Sequence, residues 1–310
     1  MAGFLAALTA STIWGFAPVF FTALNHVPRD ELLAHRVAWA CAFVLAYCIV
    51  TGRMPRVLAA VRDRRLMAAL TFTAAMTTLN WGIFLLAISA GRVFEVGMGY
   101  YMMPLLSVAL GVVILREKLS RLQWTAVALA GVAVMVLGLG LGVAPWLPLA
   151  LGGSFALYGF ARKRIDVGSI VGFQVEAMLV APVMLAWLAG VHWLGWRGFG
   201  DGVAAQFGAE AYTSLMLVAS GIVTGLPLIL FAEATRRMEY STVGLLQYVN
   251  PTLQVVAAGT ILGERFTPWH WWALALIWVA LAIYGRELMR QGRARRSAAM
   301  SAPTDSVTVR

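Results

Sequence analysis

Charged side chains are scarce in this sequence. Asp, Glu, Lys and Arg make up 12% of its 310 residues, where a soluble domain carries about 25%. With 61% hydrophobic residues, most of the exterior must face something apolar, and the class is integral membrane protein. Cysteine is scarcer still. Cys41 and Cys48 lie in one apolar run, two helical turns or about 10 Å apart, too far for a mutual disulfide. They read as small packing residues. No Cys/His spacing fits zinc, and neither a metal nor another cofactor is expected. A Walker lysine motif is absent, so ATP is not the direct energy source. The start, Met1-Ala2-Gly3-Phe4, lacks a basic n-region. Its apolar run passes Trp14 and Phe20 without a small-residue exit, as expected of a retained first span.

Positive charge is the one charge in excess, at net +10. The bases sit in short clusters between apolar runs, not on one amphipathic face with interleaved aromatics. They therefore read as topology signals, and nucleic acid is not an expected partner. A span needs about 20 apolar residues, and ten runs qualify or nearly so: 3–24, 32–50, 66–89, 94–115, 122–141, 146–160, 170–188, 212–234, 243–262 and 269–284. Nineteen of the 24 bases fall in the even-numbered connections and the tail, four in the odd-numbered connections, and Arg36 lies inside the second run. This alternation fits an even number of spans with both termini in the cytoplasm.

One stretch occurs twice. Val96-Gly97-Met98-Gly99-Tyr100-Tyr101-Met102-Met103-Pro104 returns as Val243-Gly244-Leu245-Leu246-Gln247-Tyr248-Val249-Asn250-Pro251. Tyr101 to Tyr248, Pro104 to Pro251, Glu117 to Glu264 and Trp124 to Trp271 are all 147 positions apart. The unit reads as an apolar helix broken by proline, a short charged turn and another apolar helix. The first spans of each half echo more weakly, with Ile13-Trp14-Gly15-Phe16 against Leu157-Tyr158-Gly159-Phe160. Each half holds five spans, an odd number, so duplication forces inversion, the arrangement of many alternating-access carriers. The expected organisation is an all-α membrane protein of ten transmembrane helices: a first five-helix repeat over 3–141, an inverted second over 146–285, and a basic disordered tail over 286–310. The long outer connection from Gly190 to Ala211 has room for an interfacial helix.

At several places the chain resembles the RarD-type members of the EamA family, within the drug/metabolite transporter superfamily. The matching stretches are Leu33-Ala34-His35-Arg36, Leu79-Asn80-Trp81, Gly99-Tyr100-Tyr101 with Pro104, Glu117 through Trp124, Leu157-Tyr158-Gly159 with Arg162-Lys163, and Leu246 through Thr252. They extend over about residues 1 to 290. The family commonly has Asn before the first proline; here it is Met103, so only Asn250 keeps that amide. The resemblance implies ten spans, a plasma-membrane location and export or exchange of small molecules.

Polar groups in hydrocarbon are costly unless paired or wet, so each merits a functional reading beside a structural one. Pro104 and Pro251 free carbonyls one turn back, toward a cavity or into a packed kink. Tyr100, Tyr101, Gln247, Tyr248 and Asn250 lie within a turn of those prolines. They either line a cavity suited to aromatic or amphipathic solutes or bond helix to helix. Trp14 and Tyr158 join this set through the weaker repeat, and Asn80 and Trp81 sit mid-span in the third helix. Arg36, about 7 Å in from Glu31 along a helix, can snorkel, pair with Glu31 or Asp30, or attract anions in a cavity. His35 is a structural histidine or a proton-coupling one. Glu176 is the best candidate for an intramembrane carboxylate that couples protons or selects cations; its alternative is a pair with Arg162, Lys163 or Arg164. Glu117 and Glu264 read as turn-shaping residues. Gly221-x-x-x-Gly225 and Ser107-x-x-x-Gly111 read as close helix packing.

Two enzyme signatures fail. Gly198-Phe199-Gly200-Asp201 matches the G-x-G-D of intramembrane aspartyl proteases, but it lies in an outer loop without a second membrane aspartate. Gly138-Leu139-Gly140-Leu141-Gly142 is at a span end, not between strand and helix. The expected function is secondary transport of small organic solutes by alternating access, with export the expected direction. A membrane enzyme and a non-transporting scaffold are the alternatives. A homodimer stays open, since a single bundle can hold the whole pathway.

Overall fold

The computed structural model describes residues 1–196, 205–261, 263 and 266–301. Every regular element among them is helical: α1 (Ala2–Thr22), α2 (Arg29–Val50), α3 (Met54–Arg62), α4 (Arg64–Ser89), α5 (Val93–Val113), α6 (Arg121–Leu141), α7 (Trp146–Arg164), α8 (Ser169–Trp193), α9 (Ala211–Arg237), α10 (Tyr240–Leu246), α11 (Val249–Thr260) and α12 (Pro268–Ser301). Eight of them are long and apolar enough to cross a membrane. The other two crossings are α7, whose last turn is Arg162, Lys163 and Arg164, and the broken pair α10–α11. The bases that shorten the apolar run of α7 suit its C-terminal dipole, so the helix outlasts the expected span end at Phe160.

Local chemistry sets the boundaries. Asp63 caps α4 by accepting from the N–H groups of Arg65 and Leu66. Ser120 and Gln123 form a reciprocal capping box at the start of α6, satisfying two orphan donors at once. Gly142 ends α6 at φ 63°, a conformation that suits glycine, and the second half begins four residues later.

Four expectations need correction. The nine-residue α3 was not foreseen; it buries only Val57 and Ala60 among arginines, so its apolar signal is faint. Residues 205–210 form turns and no helix; 197–204, including Gly198–Asp201, lie outside the described residues, as do Leu262, Glu264 and Arg265. The basic segment from Arg286, expected to be disordered, continues α12 helically to Ser301. Finally, proline does not break both copies of the repeat. α5 runs unbroken through Pro104, losing one backbone bond. The second copy breaks at Gln247–Tyr248, where the N–H groups of Tyr248 and Asn250 reach back only three residues. Pro251 then falls in the first turn of α11, where a missing donor costs nothing.

Helix packing follows the repeat. α1 packs on α11 and α9, and its counterpart α7 packs on α5 and α4. α2 packs on α9 as α8 packs on α4. The counterparts α2 and α8, α5 and α10, and α6 and α12 pack directly on each other. A neighbour pattern that survives exchange of the halves is the signature of a twofold axis. Because each half crosses five times, counterparts run antiparallel, and the repeats are inverted. Two apolar clusters result. One joins α5, α6, α10 and α12 around Tyr101, Tyr248 and Tyr284. The other joins α1, α7, α8 and α9 around Tyr158, Phe173 and Phe231.

Glycine sets the closest approaches. A Cβ on Gly221 would lie 2.6 Å from the Ala40 backbone nitrogen, and one on Gly244 would lie 2.8 Å from Ser107 Cβ. These are the α2–α9 and α5–α10 crossings, and small residues there let the backbones meet. Gly131 has nothing within 4 Å of its Cβ position. Gly221→Leu should therefore lower thermal stability in detergent by about 1–3 kcal/mol, while Gly131→Leu leaves the melting temperature unchanged.

Candidate functional site

Five helices from both repeats, α2, α4, α7, α8 and α9, line a narrow cavity of about 20 Å³, room for about one water. Thr77, Trp81, Tyr158, Glu176 and Thr224 give it polar and aromatic atoms, and Val37, Ala40, Phe173 and Leu228 apolar walls. Behind Tyr158 stands an aromatic cluster. Trp14 meets Phe155 edge-on at 5.6 Å and Phe231 at 5.9 Å, and Phe155 lies 5.5 Å from Tyr158. Trp14 and Tyr158, counterparts in the weaker repeat, are thus brought into one wall.

At one end of the cavity the Glu176 carboxylate is fully enclosed by partners. Thr73 Oγ1 donates at 2.6 Å, the Tyr158 hydroxyl at 3.4 Å, and Arg162 Nη1 stands at 3.6 Å. Of the three candidate bases, Arg162 is therefore the partner. Lys163 instead caps the end of α9, donating to the carbonyls of Met238 at 2.5 Å and Thr235 at 3.3 Å. Arg164 lies over the Phe160 ring. Arg162 is wholly buried. It fits because residue 172 is glycine: a Cβ there would come within 2.1 Å of Nη1.

At the end of the bundle that carries the basic clusters, a contact joins the two repeats. Glu117 accepts from the N–H groups of Tyr240 at 2.6 Å and Ser241 at 2.8 Å, capping α10 from the other half. Tyr240 then donates to the Ala156 carbonyl at 2.6 Å. Glu117 thus does more than shape its own turn.

At the opposite end, His35 does not face the cavity. Its ring stacks on Phe207 at 4.6 Å and accepts from Trp39 Nε1 at 3.2 Å. Glu31 accepts from the N–H groups of Gln206 and Phe207 at 3.0 Å, and Asp30 from Trp187 Nε1 at 2.9 Å. These acids pin the α8–α9 connection and leave Arg36 without them. Arg36 Nε donates to the cavity residue Thr224 at 2.8 Å, and its guanidinium lies 4.6 Å from the Phe21 ring centre. Tyr100 packs against Ala87, Val96, Leu147 and Leu151.

The remaining candidates lie outside the cavity lining. Asn80 gives its amide protons to the Leu151 carbonyl at 2.7 Å and Ser154 at 3.0 Å, tying α4 to α7. Asn250 Oδ1 accepts from Gln254, which also reaches the Trp14 carbonyl. Pro104 lies against Gly244 at the α5–α10 crossing, and Pro251 opens α11. Tyr101 and Tyr248 share the cluster on the far side of the bundle from the cavity, and their buried hydroxyls have no hydrogen-bond partner among the described residues. The same holds for the Gln247 amide. Sequence reasoning missed Thr73, Thr77 and Thr224. The signal was present for two of them: Thr73, Thr77 and Trp81 recur every four residues on one face of α4.

Glu176→Gln should leave the buried Arg162 uncompensated and cost about 3–5 kcal/mol, read as a loss of thermal stability. Combining Glu176→Met with Arg162→Met should recover most of it, because the pair is then removed together.

The EamA-like transporter family matches this chain twice, over residues 1–139 and 143–286. An uncharacterized transporter of Vibrio cholerae is 37% identical over 301 residues, covering 96% of both chains. The Protein RarD of Salmonella typhimurium is 36% identical, covering 91% of this chain and 94% of the relative. A chloramphenicol-sensitive protein RarD of Pseudomonas aeruginosa is 31% identical, covering 94% and 97%. A crystal structure of a protein shares the fold at TM-score 0.68 and 19% identity, covering 91% of this chain and 96% of its own. With both halves matched and such relatives along nearly the whole length, the chain belongs to the EamA-like transporter family, in its RarD-type branch.

Proposed function

We propose that the protein is a secondary carrier of the plasma membrane that moves small amphipathic or aromatic organic solutes by alternating access, in the direction of export. The observation that carries this reading is the position of the cavity. It lies between helices of both repeats, with Trp81 and Tyr158 for apolar rings and Thr77 and Thr224 for hydrogen bonds. A lining of aromatic faces and few polar groups suits an organic solute better than an inorganic ion. At the basic end, taken as cytoplasmic by the positive-inside rule, Glu117 caps a helix of the other repeat, so on this reading relative motion of the repeats is what would open that end.

The test is accessibility of the cavity from each side. In a background with the free cysteines Cys41 and Cys48 replaced by serine, single cysteines at Ala74 and Leu228 are labelled in oriented vesicles with a membrane-impermeant maleimide. Labelling is expected from the outer side. With Glu117→Ala added, labelling from the cytoplasmic side should rise severalfold, as the lost cap weakens the closed state by about 1 kcal/mol or more. Labelling from neither side in both backgrounds would overturn the carrier reading. In proteoliposomes loaded with a cell metabolite extract, retained protein should release a subset of solutes, and Trp81→Ala should reduce that release.

A further inference from the structure

We propose that Arg36 anchors an anionic group of the solute, so that the carried compounds are amphipathic organic anions, carboxylates in the simplest case. The proposal rests on the carrier reading above and names the chemical class that the same cavity takes.

A guanidinium within the spans is expensive unless a counter-charge offsets it. The acids near it are already engaged. Glu31 is bound to the N–H groups of Gln206 and Phe207, Asp30 to Trp187, and Glu176 to Thr73 and Arg162. Arg162, the other base within the bundle at this cavity, has Glu176 at 3.6 Å. Arg36 has no carboxylate within 4 Å among the described residues. Snorkelling does not account for it either, since Nε is spent on Thr224, thirteen residues into α9.

The way Arg36 is held points to its use. Nε bonds to Thr224 at 2.8 Å, and Phe21 covers the guanidinium from α1. That fixes the plane of the group and leaves Nη1 and Nη2 without a protein hydrogen bond among the described residues. This free edge is the fork that takes a carboxylate with two parallel bonds. Thr224 lines the cavity, so the fork is held next to its wall, jointly by α2 of one repeat and α9 of the other. Glu176, also in the lining, is balanced by Arg162, whereas Arg36 carries an unbalanced positive charge. The space as it stands admits about one water, so the solute enters as the repeats part, with its acid toward Arg36 and an apolar or aromatic body against Trp81 and Tyr158.

The experiment measures binding to the purified full-length chain in nanodiscs by equilibrium dialysis. Three shape-matched pairs that differ in charge serve as probes: indole-3-acetate with indole-3-acetamide, 4-phenylbutyrate with 4-phenylbutyramide, and octanoate with octanamide. In at least one pair the acid should bind about tenfold or more tighter than its amide, as expected for a desolvated bidentate contact. Arg36→Gln should bring that ratio to about one, and Arg36→Lys should retain part of it. Thr224→Val keeps the charge but frees the fork, and should lower the ratio severalfold. Where Arg36→Gln fails to give folded protein by its melting curve, Arg36→Lys and Thr224→Val decide. A ratio near one for all three pairs in the unmodified chain, absence of binding included, overturns the proposal. So does a ratio left unchanged by Arg36→Gln or, where that variant does not fold, left unchanged by both Arg36→Lys and Thr224→Val. The two readings fail differently: acid-selective binding without release from proteoliposomes would overturn the carrier and spare the anion site, while release confined to neutral or cationic solutes would do the reverse.

Discussion

Hydrocarbon offers no hydrogen-bond partner, so each polar group inside this bundle must be answered by another helix or by something that enters the bundle. Nearly every feature of the structure follows from how that demand is met. Asn80 meets it by binding α7, Glu176 by drawing in Thr73, Tyr158 and Arg162, and Glu117 by capping α10. The bonds of Asn80, Thr73 and Glu117 run between the two repeats, so polar groups that are costly in lipid also hold the duplicated halves in register. Glycine at 172 and 221 serves the same end, admitting a guanidinium in one place and a backbone in the other.

The order of the helices was plain in the sequence because its cause is plain. Ten apolar runs, bases alternating between their ends, and a repeat of 147 positions with odd span count leave one topology. The boundaries at Val50, Ser89 and Leu141 coincide with the expected ones because sharp changes of composition fall there. Elements whose stability comes from partners were less legible. α3 carries little apolar signal, and the gap between α10 and α11 depends on where Pro251 falls relative to a helix start, which a matching proline at 104 disguised.

The candidate site was half legible. Trp81, Tyr158 and Glu176 are in the cavity lining and Arg36 bonds to Thr224 of that lining, so these four are brought together, and their contact with a solute is the proposal made above. The tyrosines beside the prolines were a different matter. Repetition marks what the duplicated unit conserves in its own fold, and Tyr101 and Tyr248 serve the packing of α5, α6, α10 and α12 instead. Asn80 looked like a ligand for the same reason that it works as a clasp: an amide in lipid must bond to something, and its sequence position does not say to what. Thr73 and Thr224 carry no charge and pass for ordinary helix residues until their partners are seen.

The break at Gln247–Tyr248 has no twin at Tyr100–Tyr101, where α5 is continuous. In the alternating-access cycle proposed above, two identical halves would give two open states exchanged by the twofold axis and equal in energy. Here one half contains a joint where the other contains a rod. In that cycle the degeneracy would be lifted by the chain itself, a resting preference set before any solute or gradient acts on it.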